Sequence, residues 1–106
     1  MYRATTPKIT MEIDEGVDLT TATHIYVTLT DGNNKTLLEK GDSDVTVESA
    51  NRISIELTQA ESLALPVGTA YVQVNYTYTV SGATKRATTD KAEISVYRNS
   101  KEVVIS

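Results

Sequence analysis

Apolar and polar residues alternate through most of the chain, and this period of two is the feature that most restricts its fold. On a β-strand, successive side chains point to opposite faces of the sheet. Within residues 70–80, one face would hold Val72, Val74, Tyr76, Tyr78 and Val80, and the residues between them are mostly polar. Such alternation is typical of an antiparallel strand that turns one face toward a core.

The same alternation recurs in segments rich in Val, Ile, Thr and Tyr, which lie at residues 8–14, 24–30, 45–49, 52–58 and 91–98. Their predicted core residues are Ile9, Met11, Ile13, Ile25, Val27, Leu29, Val45, Val47, Ile53, Ile55, Leu57, Ala92, Ile94 and Val96. Turn residues separate them at 31–34, 40–44, 49–51 and 81–84. Strands spaced about every ten residues favour an all-β fold, an immunoglobulin-like antiparallel β-sandwich of about seven strands. The 106 residues would form a single domain, 1–106.

The last hairpin has a register that the sequence predicts. Residues opposed across an antiparallel pair share one face of the sheet. Since the apolar positions of both strands carry even numbers, the connection needs an odd-length loop or a bulge. The expected pairs are Val74 with Ala92 and Val72 with Ile94.

Residues 58–66 carry the only helical pattern in the sequence. Thr58 and Glu61 have the spacing of a capping box, in which each side chain accepts a hydrogen bond from the other residue's backbone N–H. Pro66 would end the helical run. We therefore expect one short helical turn at a corner of the sandwich, where Leu63 and Leu65 close one end of the core.

Composition excludes several classes of function. A net charge of −4 and a pI near 4.9 argue against nucleic acid and anionic membrane as partners. The absence of cysteine excludes disulfides, thiolate catalysis and cysteine-based zinc sites. The first residues have no apolar h-region, so we expect no signal peptide and synthesis in the cytoplasm.

Few residues are candidates for chemistry, and we predict no catalytic, cofactor-binding or metal site and no small-molecule substrate. His24 is the only histidine and is expected on the exposed face of its strand. Carboxylates at 12–16 and 42–44 leave calcium as an alternative, although neither stretch matches the D-x-D-x-D-G pattern of the common calcium loop. The basic cluster at 84–86 is interpreted as a solvated turn.

Tyrosines on the polar strand faces are candidates for a contact surface, because Tyr is favoured where one end of a side chain is dry and the other wet. Tyr26 and Tyr71 lie on such faces, whereas Tyr76 and Tyr78 are expected to cap the core. The chain also ends on an apolar triplet that could add to a neighbour's sheet edge. The predicted interaction surface comprises Tyr26, Tyr71, Gln73, Val103 and Ile105.

Several segments appear together in an order that resembles a known family. The motifs are R-x-T-T-P at 3–7, a "VTL-turn-LEK" hairpin at 27–40 and an "I-x-L-T-Q-x-E" step at 55–61. With "AYVQVNYTY" and "TTDKAEISVYRNSKEVVIS", they are similar to small phage and prophage proteins of low-GC Gram-positive bacteria, encoded among tail and baseplate genes. They also resemble the N-terminal domain of baseplate upper proteins, without the long C-terminal extension that those proteins carry. The likeness covers nearly the whole chain.

The resemblance implies a β-sandwich virion component of the tail or baseplate, with no catalytic residues to carry over. Its expected partners are other virion proteins, and homo-oligomerisation is left open. The expected location is the virion. The alternative is a bacterial surface adhesion or carbohydrate-binding module, which would predict a secretion signal or an aromatic platform. A small enzyme is the third and weakest hypothesis, since His is scarce and Cys absent.

Overall fold

A computed structural model describes residues 1–13 and 17–105 as two antiparallel β-sheets packed face to face. The strands are β1 (Lys8–Glu12), β2 (His24–Thr30), β3 (Thr36–Gly41), β4 (Thr46–Ser49), β5 (Arg52–Glu56), β6 (Gly68–Val80), β7 (Ala83–Thr88) and β8 (Ala92–Val96). The helical elements are α1 (Gln59–Leu63) and two 3₁₀ turns, Leu19–Thr21 and Asp42–Asp44. None of the helices in this described part has the length and apolar character needed to cross a bilayer.

The strand order is that of an immunoglobulin-like sandwich. The small sheet runs β1-β5-β4, and the large sheet runs β3-β2-β6 with β7 and β8 lying one after the other along the free side of β6. This order corresponds to strands B-E-D facing C′-C-F-G, with the last strand divided in two. Ahead of β1, Tyr2 makes a single parallel bridge to Tyr97. The predicted all-β sandwich is confirmed, with eight strands instead of seven.

The core lies between the two sheets at the positions that alternation predicts. Val27, Leu29 and Ile53 are completely buried, and Val72 and Val74 line the facing surface of β6. Three predicted core positions are exposed, and the two larger side chains among them are Val47, which is 37% exposed, and Val80, which is 49% exposed. Val80 belongs to a strand of 13 residues, whereas β1 and β5 have five each, so the small sheet is too short to cover its far end. Ala92 is exposed as well.

The return from β6 breaks into two strands, and the expected register is wrong by two residues. Val72 lies opposite Ala92 and Ala70 opposite Ile94. The expected bulge is confirmed, since the pairing shifts by one residue between β7 and β8. At the break, the backbone N–H of Thr89 donates to the carbonyl of Val74 at 2.9 Å, and the Thr89 hydroxyl accepts from the Val74 N–H at 3.0 Å.

A two-residue turn connects β6 to β7. It sets the register of these two strands, with Val80 opposite Ala83, which the sequence did not predict. Ser81 and Gly82 have φ angles of 50° and 80°, the left-handed conformation that two-residue hairpin turns require. Residues 84–86, interpreted from the sequence as a turn, therefore lie within β7. Their side chains are exposed, which agrees with the interpretation of this basic cluster as solvated.

Helix α1 begins with the predicted capping box. The Thr58 hydroxyl accepts from the Glu61 N–H at 3.1 Å, and the Glu61 carboxylate accepts from the Thr58 N–H at 2.9 Å. Leu65 is 1% exposed and closes one end of the core, whereas Leu63 is only half-buried. Lys40 of β3 donates to the same carboxylate at 2.9 Å, which ties the helix to the large sheet.

The two strands β6 and β7 extend beyond the rest of the sandwich. At about 3.3 Å per residue, β6 is roughly 43 Å long, close to the 52 Å longest dimension of the molecule. Strand β2 accompanies β6 only as far as Thr77. Residues 78–85, here called the arm, are therefore a two-stranded projection that only β6 and β7 form.

Candidate interaction surfaces

The outer face of the large sheet gathers three of the five residues predicted for the interaction surface. Across β2 and β6, Tyr26 lies opposite Asn75, Thr28 opposite Gln73 and Thr30 opposite Tyr71. Tyr26, Tyr71 and Gln73 therefore share one side of the sheet, called here the polar sheet face. Tyr26 is 37% exposed, and Tyr71 and Gln73 are half-buried.

The ring of Tyr26 lies flat across β3 because Gly41 leaves room for it. A Cβ atom added to Gly41 would lie 2.6 Å from Cδ1 and 2.7 Å from Cε1 of Tyr26. The His24 ring lies beside Tyr26, with centroids 6.2 Å apart and planes 22° from parallel. The two rings form a small flat aromatic surface. Gly41 was not predicted to take part in this surface, although a glycine inside a strand is itself a sign that another group approaches the backbone closely.

Beside Tyr26 the polar sheet face has a concavity of about 330 Å³ lined by Thr28, Glu39, Asn75, Tyr76, Thr77 and Arg86. Arg86 donates to the Asn75 side-chain oxygen at 3.1 Å. The hydroxyl of Thr77 is buried and has no hydrogen-bond partner among the described residues. One guanidinium and one carboxylate line the hollow, so its formal charges balance.

His24 is exposed, as its strand position predicts, and it pairs with a carboxylate that the sequence did not associate with it. Its Nδ1 lies 3.1 Å and 3.2 Å from the two carboxylate oxygens of Asp42. Both side chains are about half exposed, so the pair contributes at most about 1 kcal/mol to stability. In the part of the chain that the structure describes, no hydroxyl is hydrogen-bonded to Nε2, the contact on which a hydrolytic triad depends.

Next to this pair lies a concavity of about 580 Å³, called here the apolar cleft. Its apolar lining residues are Leu19, Ala22, Ile25, Val45 and Val47. It opens between the start of β2 and the edge strand β4. Asp42 of the second 3₁₀ turn lines the cleft, and Asp44 lies on the same turn next to the lining residue Val45; both residues are exposed.

Among the described residues, the carboxylates that left calcium as an alternative are not gathered into a site. Within residues 1–13 and 17–105, no three His, Cys, Asp or Glu residues are placed to hold a metal ion. The stretch 42–44 forms a 3₁₀ turn instead. In the other stretch, Glu12 pairs with Arg52, and residues 14–16 lie outside the described part.

The outer face of the small sheet carries ion pairs that shift pKa values. Lys8 donates to Glu48 at 2.6 Å. This contact raises the pKa of Lys8 and lowers the pKa of the Glu48 carboxyl. The buried Ser54 hydroxyl also donates to Glu48, at 3.1 Å. Lys8 and Glu48 therefore form an ion pair beside the buried Ser54 hydroxyl, and Glu12 and Arg52 form a second pair on the same face.

The remaining predicted surface residues, Val103 and Ile105, lie away from the polar sheet face and against α1. The Gln59 side chain donates to the Ile105 carbonyl at 2.8 Å and accepts from its N–H at 2.7 Å. Arg3 pairs with Glu102 at 3.1 Å and further anchors this segment. Val103 and Ile105 remain 51% and 58% exposed. The five predicted residues therefore belong to two separate surfaces.

No family model, no curated protein and no solved structure matches this chain. The fold itself places the protein among the immunoglobulin-like β-sandwiches. Its distinguishing features are the projecting two-stranded arm, the aromatic polar sheet face and the exposed apolar residues at 103–105.

Proposed function

We propose that this protein is a non-enzymatic structural component of a phage or prophage virion, in the tail or baseplate, that acts through protein–protein assembly. The proposal rests on the resemblance of motifs given in the sequence analysis, from Arg3 to the segment at 88–106. An all-β sandwich agrees with the fold that the resemblance implies.

The distribution of exposed apolar side chains supports an assembly role. Val80 on the arm, Val103 and Ile105 beside α1, and Tyr26 on the polar sheet face are each more than a third exposed. These side chains lie on three separate surfaces, and exposed apolar and aromatic side chains of this kind are candidates for protein–protein contacts. In a symmetric particle each such contact is repeated, so that individually weak contacts add up to a stable assembly.

Deletion of the gene from the prophage tests the proposal. We expect induced cells to release particles with missing or incomplete tails or baseplates in negative-stain electron microscopy. A plasmid copy of the gene should restore complete particles, which controls for effects on neighbouring genes. Complete and infectious particles from the deletion strain would contradict the proposal.

The polar sheet face favours one second candidate, the adhesion or carbohydrate-binding module. A flat Tyr ring beside planar guanidinium, amide and carboxylate groups suits a sugar, because rings stack on its C–H face and planar groups bond its hydroxyls. Retention of the purified protein on isolated bacterial cell walls, together with normal particles from the deletion strain, would favour this candidate over the virion role.

A further inference from the structure

At the tip of the arm, Val80 and Ala83 form an apolar face that the described residues of the sandwich leave exposed. On the core side of β6 and β7, Val80 lies opposite Ala83 and Tyr78 opposite Lys85. Val80 is 49% exposed, and residues 81–86 are exposed throughout. A two-stranded hairpin is at best marginally stable in water when it lacks a covering layer. An uncovered apolar face on such a hairpin therefore points to a contact with another molecule.

The arm also differs in charge from the rest of the chain. Residues 62–89 contain two cations, Lys85 and Arg86, and no Asp or Glu, although the whole chain has a net charge of −4. Both cations are exposed and lie at the base of the arm. Lys85 lies opposite Tyr78, on the same face as Val80, and Arg86 lies opposite Thr77, just outside the arm and on the other face. The remainder of the molecule is correspondingly acidic, so the arm is electrostatically suited to another acidic surface.

A surface that matches the arm lies on the same chain. The apolar cleft exposes Val47 above the buried Ile25 and Val45, and the 3₁₀ turn that carries Asp42 and Asp44 borders it through Asp42. The cleft opens at the base of the arm, because His24 pairs with Thr77 and the Thr23 N–H donates to the Thr77 carbonyl at 2.8 Å. Arm and cleft therefore lie at one end of the molecule.

We propose that two copies of this chain form a two-fold dimer in which the arm of each copy packs on the apolar cleft of the other. Val80 meets the aliphatic lining around Val47, and Lys85 lies against the acidic rim at Asp42 and Asp44. Because donor and acceptor surfaces lie at the same end, one two-fold axis satisfies both contacts at once and closes the assembly. The dimer is a building unit for the proposed assembly role, but it depends only on surfaces of this chain.

Sedimentation equilibrium of the purified protein from micromolar to millimolar concentration tests the dimer. The native chain should show a concentration-dependent shift from monomer to dimer. Val80→Asp should raise the dissociation constant about tenfold or more, because it places an unpaired charge in the apolar contact. Thr79→Asp is the matched control, since it adds the same charge to the neighbouring residue on the opposite face of the same strand. It should leave the dissociation constant within about threefold of the native value.

A charge exchange tests the second half of the contact. Lys85→Glu and Asp44→Lys should each weaken the dimer, and the double variant should recover most of the lost affinity. Circular dichroism checks that each variant is folded. A native chain that stays monomeric at every concentration overturns the proposal, as does a Val80→Asp variant that dimerises like the native chain. Neither result affects the gene-deletion experiment, so the dimer and the virion role fail independently.

Discussion

Gly41 is the residue in β3 where a side chain would collide with the neighbouring strand. The ring of Tyr26 occupies the space where the Cβ of any other residue would lie. A ring that covers a strand glycine shields the backbone there and adds apolar contact across the strand pair. The flat aromatic surface of the polar sheet face therefore depends on the absence of a single methyl group.

Gly41→Ala tests this dependence. The added Cβ would force the Tyr26 ring off the sheet, and we expect a loss of about 1 kcal/mol in the free energy of unfolding. Urea denaturation measures the loss. The control is Gly32→Ala in the β2–β3 turn, where an added Cβ meets nothing within 4 Å, and it should change stability by less than about 0.5 kcal/mol. Equal stabilities for the two variants would contradict the role assigned to Gly41.

At the residue scale, alternation predicts which side chains are buried wherever a strand is covered on one face. Val27, Leu29 and Ile53 follow it, because burial in a sandwich depends on a period that is local in sequence. Val80 does not, because its burial depends on the length of a different sheet. No local pattern reports that length.

Among the elements, α1 combines one feature that the sequence predicts with one that it does not. The capping box joins residues three apart and is visible in the sequence. The ion pair between Lys40 and Glu61 spans 21 residues and depends on how the sheet approaches the helix. The hydrogen bond from Lys40, together with the Thr58 N–H, lowers the pKa of Glu61 below its ordinary value of 4.5.

This shift has a defined effect on stability against pH. Because the folded pKa of Glu61 is below the unfolded one, the ionised carboxylate stabilises the fold above pH 4.5, and that contribution is lost as pH falls through the folded value. Glu61→Gln keeps an oxygen for the capping box and removes the charge. It should cost about 1 kcal/mol at pH 7 and almost nothing at the acid end of the transition.

Thermal unfolding of the native chain and the variant between pH 3 and 7 measures the effect. Glu39→Gln removes the same charge from an exposed position on the neighbouring strand, and it should leave the pH dependence close to native. The assignment is wrong if the difference between native chain and Glu61→Gln stays constant over that range.

The pairing of β7 and β8 with β6 was only partly predictable from the alternation of apolar residues. Parity of the apolar positions required a bulge or an odd loop, and the bulge is present. The pattern of apolar residues did not predict the two-residue turn after β6 or the interruption between β7 and β8 at Thr89. At that interruption, hydrogen bonds between Thr89 and Val74 replace the regular strand pairing. The error of two residues follows from that break.

For the whole molecule, the candidate surfaces were predictable in part. Tyr26, Tyr71 and Gln73 share a face because alternation fixes the faces of β2 and β6 and the strands are neighbours. Val103 and Ile105 were chosen for their apolar character, but their position against α1 depends on a contact between Gln59 and Ile105, 46 residues apart. The uneven charge of the arm is readable in the sequence, whereas the acidic cleft at its base is formed only by folding.

The most direct measurement of the central claim is quantitative mass spectrometry of purified particles, released after prophage induction from the bacterium that carries this gene. If the chain is a virion component, its peptides should co-purify with tail and capsid proteins through a density gradient. Its amount should hold a fixed whole-number ratio to those proteins, and an even copy number would agree with the proposed dimer. Complete particles that contain no peptide of this chain would contradict the claim.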